Sequence, residues 1–256
     1  MGRLVRWLDA RLYPDFQHRW DDWLFRQHIL SHLGGADLQV LDLGAGAGIV
    51  DAMDFRGHAR RICGIDPDPR VVENPYLDEG RVGVGESIPY PDGSFDLVFA
   101  DNVLEHLPDP AAVFGEVARV LKPGGVFLAK TPNKWHYVPL IARLSPHGFH
   151  RWVVRWRGRG GEDVFPTRYR ANSPADIRRL AAATGLEVVR LDLIEGRPEY
   201  LRFTALTYVL GWLYERLVNG VPGLAGWRVL LVVELRKSGE GRAGAPATLA
   251  WRAPRR

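Results

Sequence analysis

Val40-Leu41-Asp42-Leu43-Gly44-Ala45-Gly46-Ala47-Gly48 places an acid and three alternating glycines behind an apolar run. Glycines so spaced let a chain turn tightly and lie against a ligand where any Cβ would clash. A helix following such a loop points free N–H groups at the ligand. A second acid, Asp66, closes the apolar run Arg61-Ile62-Cys63-Gly64-Ile65. A carboxylate there can accept both hydroxyls of a ribose. Together these residues describe a nucleoside site at the carboxyl edge of a parallel sheet. A dinucleotide loop would need a glycine at position 49. Ile49 stands there, so the pattern is D-x-G-x-G-x-G.

Three further segments follow in order. They are Gly85-Glu86-Ser87-Ile88-Pro89-Tyr90-Pro91-Asp92-Gly93-Ser94-Phe95-Asp96-Leu97-Val98, then Val103-Leu104-Glu105-His106-Leu107, then Arg119-Val120-Leu121-Lys122-Pro123-Gly124-Gly125. With the glycine loop they resemble the class I S-adenosylmethionine-dependent methyltransferases, in the type 11-like, small-molecule branch. The resemblance is close over residues 38–132 and loose over 172–237. It implies S-adenosyl-L-methionine as cofactor and S-adenosyl-L-homocysteine as product. It also implies a cofactor set of Asp42, Gly44, Ala45, Gly46, Gly48, Asp66, Pro67, Gly85, Glu86, Ser87, Ile88, Asp101 and Asn102. Many relatives place an aspartate two positions before Glu86 to meet the adenine amino group. Val84 stands here, which shifts that expectation to Glu86 or to backbone groups.

Asp101 and Asn102 follow the fourth strand, where acceptor would meet methyl group, and His106 lies one helical turn past Asn102, which would put it on the same side. A histidine near neutrality suits a general base, and Asp101 is a second candidate. The plainer reading of His106 is a packed imidazole bonded to backbone. Positioning a nucleophile in line with the S–CH₃ bond supplies much of the rate without any base.

These motifs need strands to carry them. Apolar runs predict strands at 39–43, 61–66, 82–84, 95–100 and 126–131, with short helices between. Asp109, Pro110 and the Pro123-Gly124 stop frame one helix well. The alternation implies an α/β, doubly wound, mostly parallel sheet. The resemblance adds seven strands in Rossmann-like order 3-2-1-4-5-7-6, with an antiparallel last pair. A helix is expected over 15–33, another from Ser173 to Gly185, a β run over 186–194, and a last strand from Trp227 to Arg236. Helical lid insertions are expected at 134–171 and 197–226, the second carrying an apolar helix from Leu201 to Val218. One methyltransferase domain then covers 1–237, and 238–256 reads as a disordered tail.

The chain has 256 residues, ordinary apolar content and one cysteine, Cys63, expected as buried filler. No internal disulfide can form, which fits a reducing compartment. Charges interrupt the first apolar run, so no secretory signal is expected, and no stretch matches a membrane span. The expected location is cytoplasmic or peripheral to a membrane. His136, Tyr137, His147, His150 and Trp152 fit no metal-binding spacing, so no metal is expected and an aromatic substrate lid is preferred. Arginines 151, 155, 157, 159, 168 and 170 form either a solvated face or a site for an anionic group or membrane surface.

The expected activity is methyl transfer to oxygen, nitrogen or carbon of a small-molecule or lipid-linked acceptor, by a monomer or homodimer. A second reading is a cofactor-binding scaffold or subunit without catalysis. A third is a nucleic-acid methyltransferase. It is not favoured, because Asp101-Asn102-Val103-Leu104 stands where an N-P-P-Y-type motif would be.

Overall fold

The computed structural model describes residues 2–14, 16, 20–35, 37–144 and 166–239. Its strands are β1 (Gln39–Leu43), β2 (Arg61–Asp66), β3 (Glu79–Val82), β4 (Phe95–Asp101), β5 (Leu121–Pro132), β6 (Leu186–Ile194) and β7 (Leu230–Lys237). Its helices are α1 (Arg3–Leu12), α2 (Trp20–His32), α3 (Pro110–Val120), α4 (Tyr137–Leu144), α5 (Pro174–Thr184) and α6 (Ala205–Gly220). The sheet has seven strands in the order β3-β2-β1-β4-β5-β7-β6. Strands β1 to β5 run parallel, and β7 runs antiparallel to both neighbours. This is the expected doubly wound architecture.

Both faces of the sheet are covered, which is why its central strands are mostly apolar. Along β4, Leu97 and Phe99 face α2, where they join Phe25, Ile29 and Leu33. Val98 and Ala100 point the other way, into the layer formed with α3 and α5. The Asp109 carboxylate accepts from the Ala111 and Ala112 N–H groups and starts α3, with Pro110 at its first position. Ser173 caps α5, and Gly185 closes it at φ 72°, a conformation that costs glycine little.

Several boundaries differ from the sequence reading. Strand β3 lies at 79–82 rather than 82–84, because this polar edge strand lacks an apolar run; Glu79 pairs with Cys63 and Val82 with Asp66. Strand β5 starts at Leu121 rather than 126, since Leu121 pairs with Phe95 across a register shift. The helix expected at 15–33 is α2, over 20–32, and α1 precedes it unforeseen. The helix expected at 201–218 starts later, at Ala205, where Thr204 and Thr207 form a capping box. Behind the glycine loop stands a single 3₁₀ turn, Asp51–Met53, where a helix was expected. Asp54, in an extended conformation, ends that turn. Of the expected tail, residues 240–256 lie outside the described residues.

Candidate functional site

Adjacent parallel strands end at one rim, so the loops after β1, β2 and β4 converge there. Gly44, Gly46 and Gly48 all have positive φ, at 82°, 54° and 70°. Their surroundings separate their roles. A Cβ on Gly44 would sit 2.4 Å from Val103 Cγ2, and one on Gly48 would sit 2.3 Å from Asn74 Oδ1. Those two glycines admit protein neighbours. A Cβ on Gly46 would have nothing within 4 Å, so that glycine borders open space.

The loop is braced from β2. Gly44 N–H donates to the Ile65 carbonyl at 2.8 Å, and Gly46 N–H donates to Asp66 Oδ2 at 2.9 Å. Asp66 Oδ1 accepts from Asp68 N–H at 2.8 Å. Each carboxylate oxygen keeps a further lone pair. Asn74 Nδ2 donates to the Ala45 and Gly46 carbonyls at 3.0 and 3.2 Å. The sequence reading did not single out Asn74, whose role depends on a contact 28 residues away.

Acids crowd the rim. Asp42 and Asp66 are buried. Burial, then Asp101 and Asp66, pushes the Asp42 pKa well above the carboxylate range. Burial also raises Asp66, against the two backbone N–H groups it accepts from. Asp101 is pushed up to about 6, by burial first and against the pull of Lys130. Lys130 is fully buried on β5 and reaches Asp101 at 2.9 Å, Asp22 at 2.5 Å and Asp21 at 3.3 Å. Burial opposes its charge, and the three acids overcome that and keep it an ammonium.

The segment after β4 is a turn rather than a helix, so His106 does not stand one helical turn above Asn102. Asn102 takes a left-handed conformation at φ 54°, which asparagine tolerates better than most residues. Its Nδ2 donates to Asp101 Oδ1 at 2.9 Å. His106 Nδ1 is 3.2 Å from the Pro166 carbonyl, and its Nε2 is 3.9 Å from Glu105 Oε1. Burial lowers its pKa. Glu105 was not a sequence candidate, yet it is buried beneath this turn and pushed up to about 7, by burial first. Its Oε2 accepts from Thr131 Oγ1 at 2.8 Å, and Thr131 Oγ1 accepts from Asn172 Nδ2 at 2.6 Å. The Glu105 carbonyl accepts from Arg168 and Tyr169 N–H. The acid therefore ties the β4 turn to the far end of the first insertion.

The segment expected beside adenine is partly committed to the core. Ile88 is buried, and its N–H donates to Glu116 Oε2 at 2.7 Å. A Cβ on Gly85 would lie 3.2 Å from Val113. Glu86 Oε1 accepts from Asp109 N–H at 3.4 Å, Ser87 N–H donates to the Val84 carbonyl at 3.1 Å, and Pro67 is exposed. The two insertions rise from this same edge and meet: Tyr137 packs on Tyr214 at 4.9 Å and His136 on Tyr214 at 5.6 Å. His136 is buried with its Nε2 3.5 Å from Glu195 Oε2. Burial pushes the histidine down to about 3 and the acid up to about 8, so both are neutral near pH 7. Of the arginine cluster, Arg170 Nη1 donates to the Pro108 carbonyl at 2.6 Å and Arg168 is exposed. Arg151, Arg155, Arg157 and Arg159, with His147, His150 and Trp152, lie outside the described residues.

A family model described as "Methyltransferase domain" matches residues 41–129. The ubiquinone biosynthesis O-methyltransferase of Thiobacillus denitrificans is 30% identical over 165 residues, 61% of this chain and 67% of that protein. The methyltransferase YcgJ of Bacillus subtilis is 36% identical over 113 residues, 41% of this chain and 43% of that protein. Against mycobacterial methyltransferases that also match, the chain spans about half of the relative's length or less, 49% and 36%. Among solved structures, YcgJ superposes with a TM-score of 0.52 at 19% identity, covering 84% of this chain and 98% of that one. The geranyl diphosphate C-methyltransferase of Streptomyces coelicolor, solved with Mg2+, geranyl diphosphate and S-adenosyl-L-homocysteine, has a TM-score of 0.51 at 17% identity. It covers 83% of this chain and 79% of that one. At those identities the two structures share the fold.

Proposed function

Because this chain belongs to the class I S-adenosylmethionine-dependent methyltransferases, we propose that it transfers a methyl group from S-adenosyl-L-methionine to a small-molecule or lipid-linked acceptor. The observation that carries the cofactor half is a set of acids at one rim: buried Asp42 and Asp66, with Asp66 bonded to Gly46 beside open space, and half-buried Asp101. Buried carboxylates with raised pKa values favour a cationic guest. The cofactor carries a sulfonium and an ammonium, and it supplies an electrophilic methyl carbon.

In this reading, the spare lone pairs of Asp66 accept the ribose hydroxyls, while its Gly46 bond holds the loop in place. Asp42 faces the cationic end of the ligand. Glu86, Ser87 and the Ile88 backbone border the adenine. Asp101, fixed by Lys130 and Asn102, orients the rim where the acceptor arrives. His106 is the general base: with Nδ1 donating to the Pro166 carbonyl, Nε2 carries the lone pair that takes the acceptor's proton.

The acceptor half rests on the insertions. They pack on one another at the edge that carries Gly46, where loops of a parallel sheet surround a ligand. On α6, Leu206, Leu210, Leu213 and Leu217 form an exposed stripe, and α1 adds exposed Leu4 and Trp7. No helix among the described residues is long and apolar enough to cross a membrane. An exposed apolar stripe of this length suits shallow contact with a bilayer, which favours a lipid-linked acceptor.

Two measurements test the reading. Calorimetry should show S-adenosyl-L-homocysteine binding in preference to NAD(H); the reverse preference overturns it. Labelled methyl from the cofactor should then enter either a lipid extract or an aqueous metabolite pool. Tight cofactor binding with no transfer into either would favour the scaffold reading.

A further inference from the structure

His28 and His32 stand four residues apart on α2, the spacing that stacks two side chains on one helix face. That face meets β7. Along β7, Val232 packs on the α2 side while Leu231, Val233 and Leu235 pack on the other. Strand alternation therefore sends Glu234 toward α2. His28 Nε2 and His32 Nε2 each lie 3.6 Å from the same atom, Glu234 Oε2. The three candidate ligand atoms all lie within 4.8 Å of one another.

A separation of 3.6 Å is long for an N–H···O bond. It is close to the spacing of about 3.3 Å between ligands held 2.0–2.1 Å from a tetrahedral zinc. The rings stand edge to face at 5.3 Å, and both Nε2 atoms lie beside the same carboxylate oxygen. We propose that His28, His32 and Glu234 bind a divalent transition-metal ion of the zinc class, clamping α2 to β7.

The donor set suits such an ion better than magnesium or calcium, which prefer all-oxygen sites. His28 and Glu234 are buried, and His32 is the most accessible of the three, so the ion enters and keeps its remaining water on that side. Two cations share the environment. Arg236 Nη2 lies 3.9 Å from Glu234 Oε1, and Arg190 is the register partner of Glu234 on β6. Arg236 approaches Oε1 while both imidazoles approach Oε2, and together the two arginines moderate the affinity. The role is structural. Glu234 pairs in register with Leu128, two residues before Lys130, and α2 also carries Asp21 and Asp22. Fixing α2 therefore fixes two of the three acids that hold Lys130 beneath Asp101.

Tag-free protein stripped with a chelator is titrated with CoCl2 and then ZnCl2. The expected result is uptake of about one Co2+ per chain with tetrahedral visible bands. His32→Gln and Glu234→Gln should each weaken that uptake on the order of 100-fold and leave S-adenosyl-L-homocysteine affinity unchanged. X-ray absorption of the zinc-loaded parent, which needs no substitution, should show imidazole and oxygen ligands. No Co2+ uptake, uptake indifferent to both substitutions, or a ligand shell without imidazole overturns the site. None of these outcomes bears on cofactor binding or methyl transfer.

Discussion

Asp66 Oδ2 accepts the backbone N–H of Gly46 at 2.9 Å, so the acid at the end of β2 and the glycine at the tip of the β1 loop form one unit. Asp66→Ala removes both that brace and the proposed ribose contacts. Hydrogen bonds to a charged acceptor are worth about 1.5–3 kcal/mol each. Calorimetry with S-adenosyl-L-homocysteine should show affinity lowered by about one to two orders of magnitude. Unchanged affinity would remove Asp66 from the site.

Gly46→Val and Gly44→Val should part company. The first places its side chain in open space, at a strain cost of about 1–2 kcal/mol for the left-handed backbone. It should fold, with a modestly lower Tm, and lose cofactor binding. The second drives a side chain into Val103 and should be far less stable. Circular dichroism melts beside calorimetry distinguish the two, and normal binding by folded Gly46→Val would count against this loop.

Lys130→Met leaves Asp21, Asp22 and Asp101 without their shared cation. Breaking a buried pair by removing one partner costs about 3–5 kcal/mol. The loss should be largest near neutral pH and shrink in acid, as Asp101, pushed up to about 6, protonates. Chemical denaturation at pH 7 and pH 4.5 measures both, and a pH-independent loss would mean that packing, not charge, is what the lysine supplies.

Glu105 makes stability fall as pH rises. Its folded pKa of about 7 lies above the ordinary 4.5, so folding favours the protonated acid. That contribution is complete below about pH 4.5 and is lost as the pH passes through 7. The parent should therefore lose up to about 3 kcal/mol across this window. Glu105→Gln should not show this loss. Parallel pH dependences of denaturation for the two proteins would refute the assignment.

His106→Gln should lower kcat by about 10²-fold or more if Nε2 removes the acceptor proton. The parent's rate should fall on the acid side below the ordinary histidine pKa of 6.5, because burial lowers the His106 pKa. That acid limb should be missing from the variant, while cofactor affinity holds. A variant with the parent's kcat would leave positioning as the whole of catalysis.

Much of this fold is legible in the chain because buried parallel strands write unbroken apolar runs. Strands β1, β2 and β4 stand where Val40-Leu41, Ile62-Cys63 and Leu97-Val98 put them, and caps such as Asp109-Pro110 mark helices locally. Strand β3 was displaced because an edge strand reading Glu-Gly-Arg-Val carries no such run. Helix α1 was missed because its arginines hide a stripe whose Val5 packs with Tyr13 and Tyr208, and Tyr208 lies far along the chain. Within the site, the glycine spacing and Asp66 are visible locally. Lys130 with Asp22, 108 residues apart, and Glu105 with Thr131 exist only once the sheet has formed. No local pattern announces them.

The reversed direction of β7 has a consequence for how such a protein can diversify. Because β7 starts at the rim where β6 ends, residues 195–229 and the segment after β5 open on the same side as Gly46. Length added to either leaves the pairing of β1 with β2 and β4 untouched. If these two segments choose the acceptor, as proposed, grafting them onto a relative of the same sheet order should transplant that choice as a cassette, with the donor of the methyl group held constant.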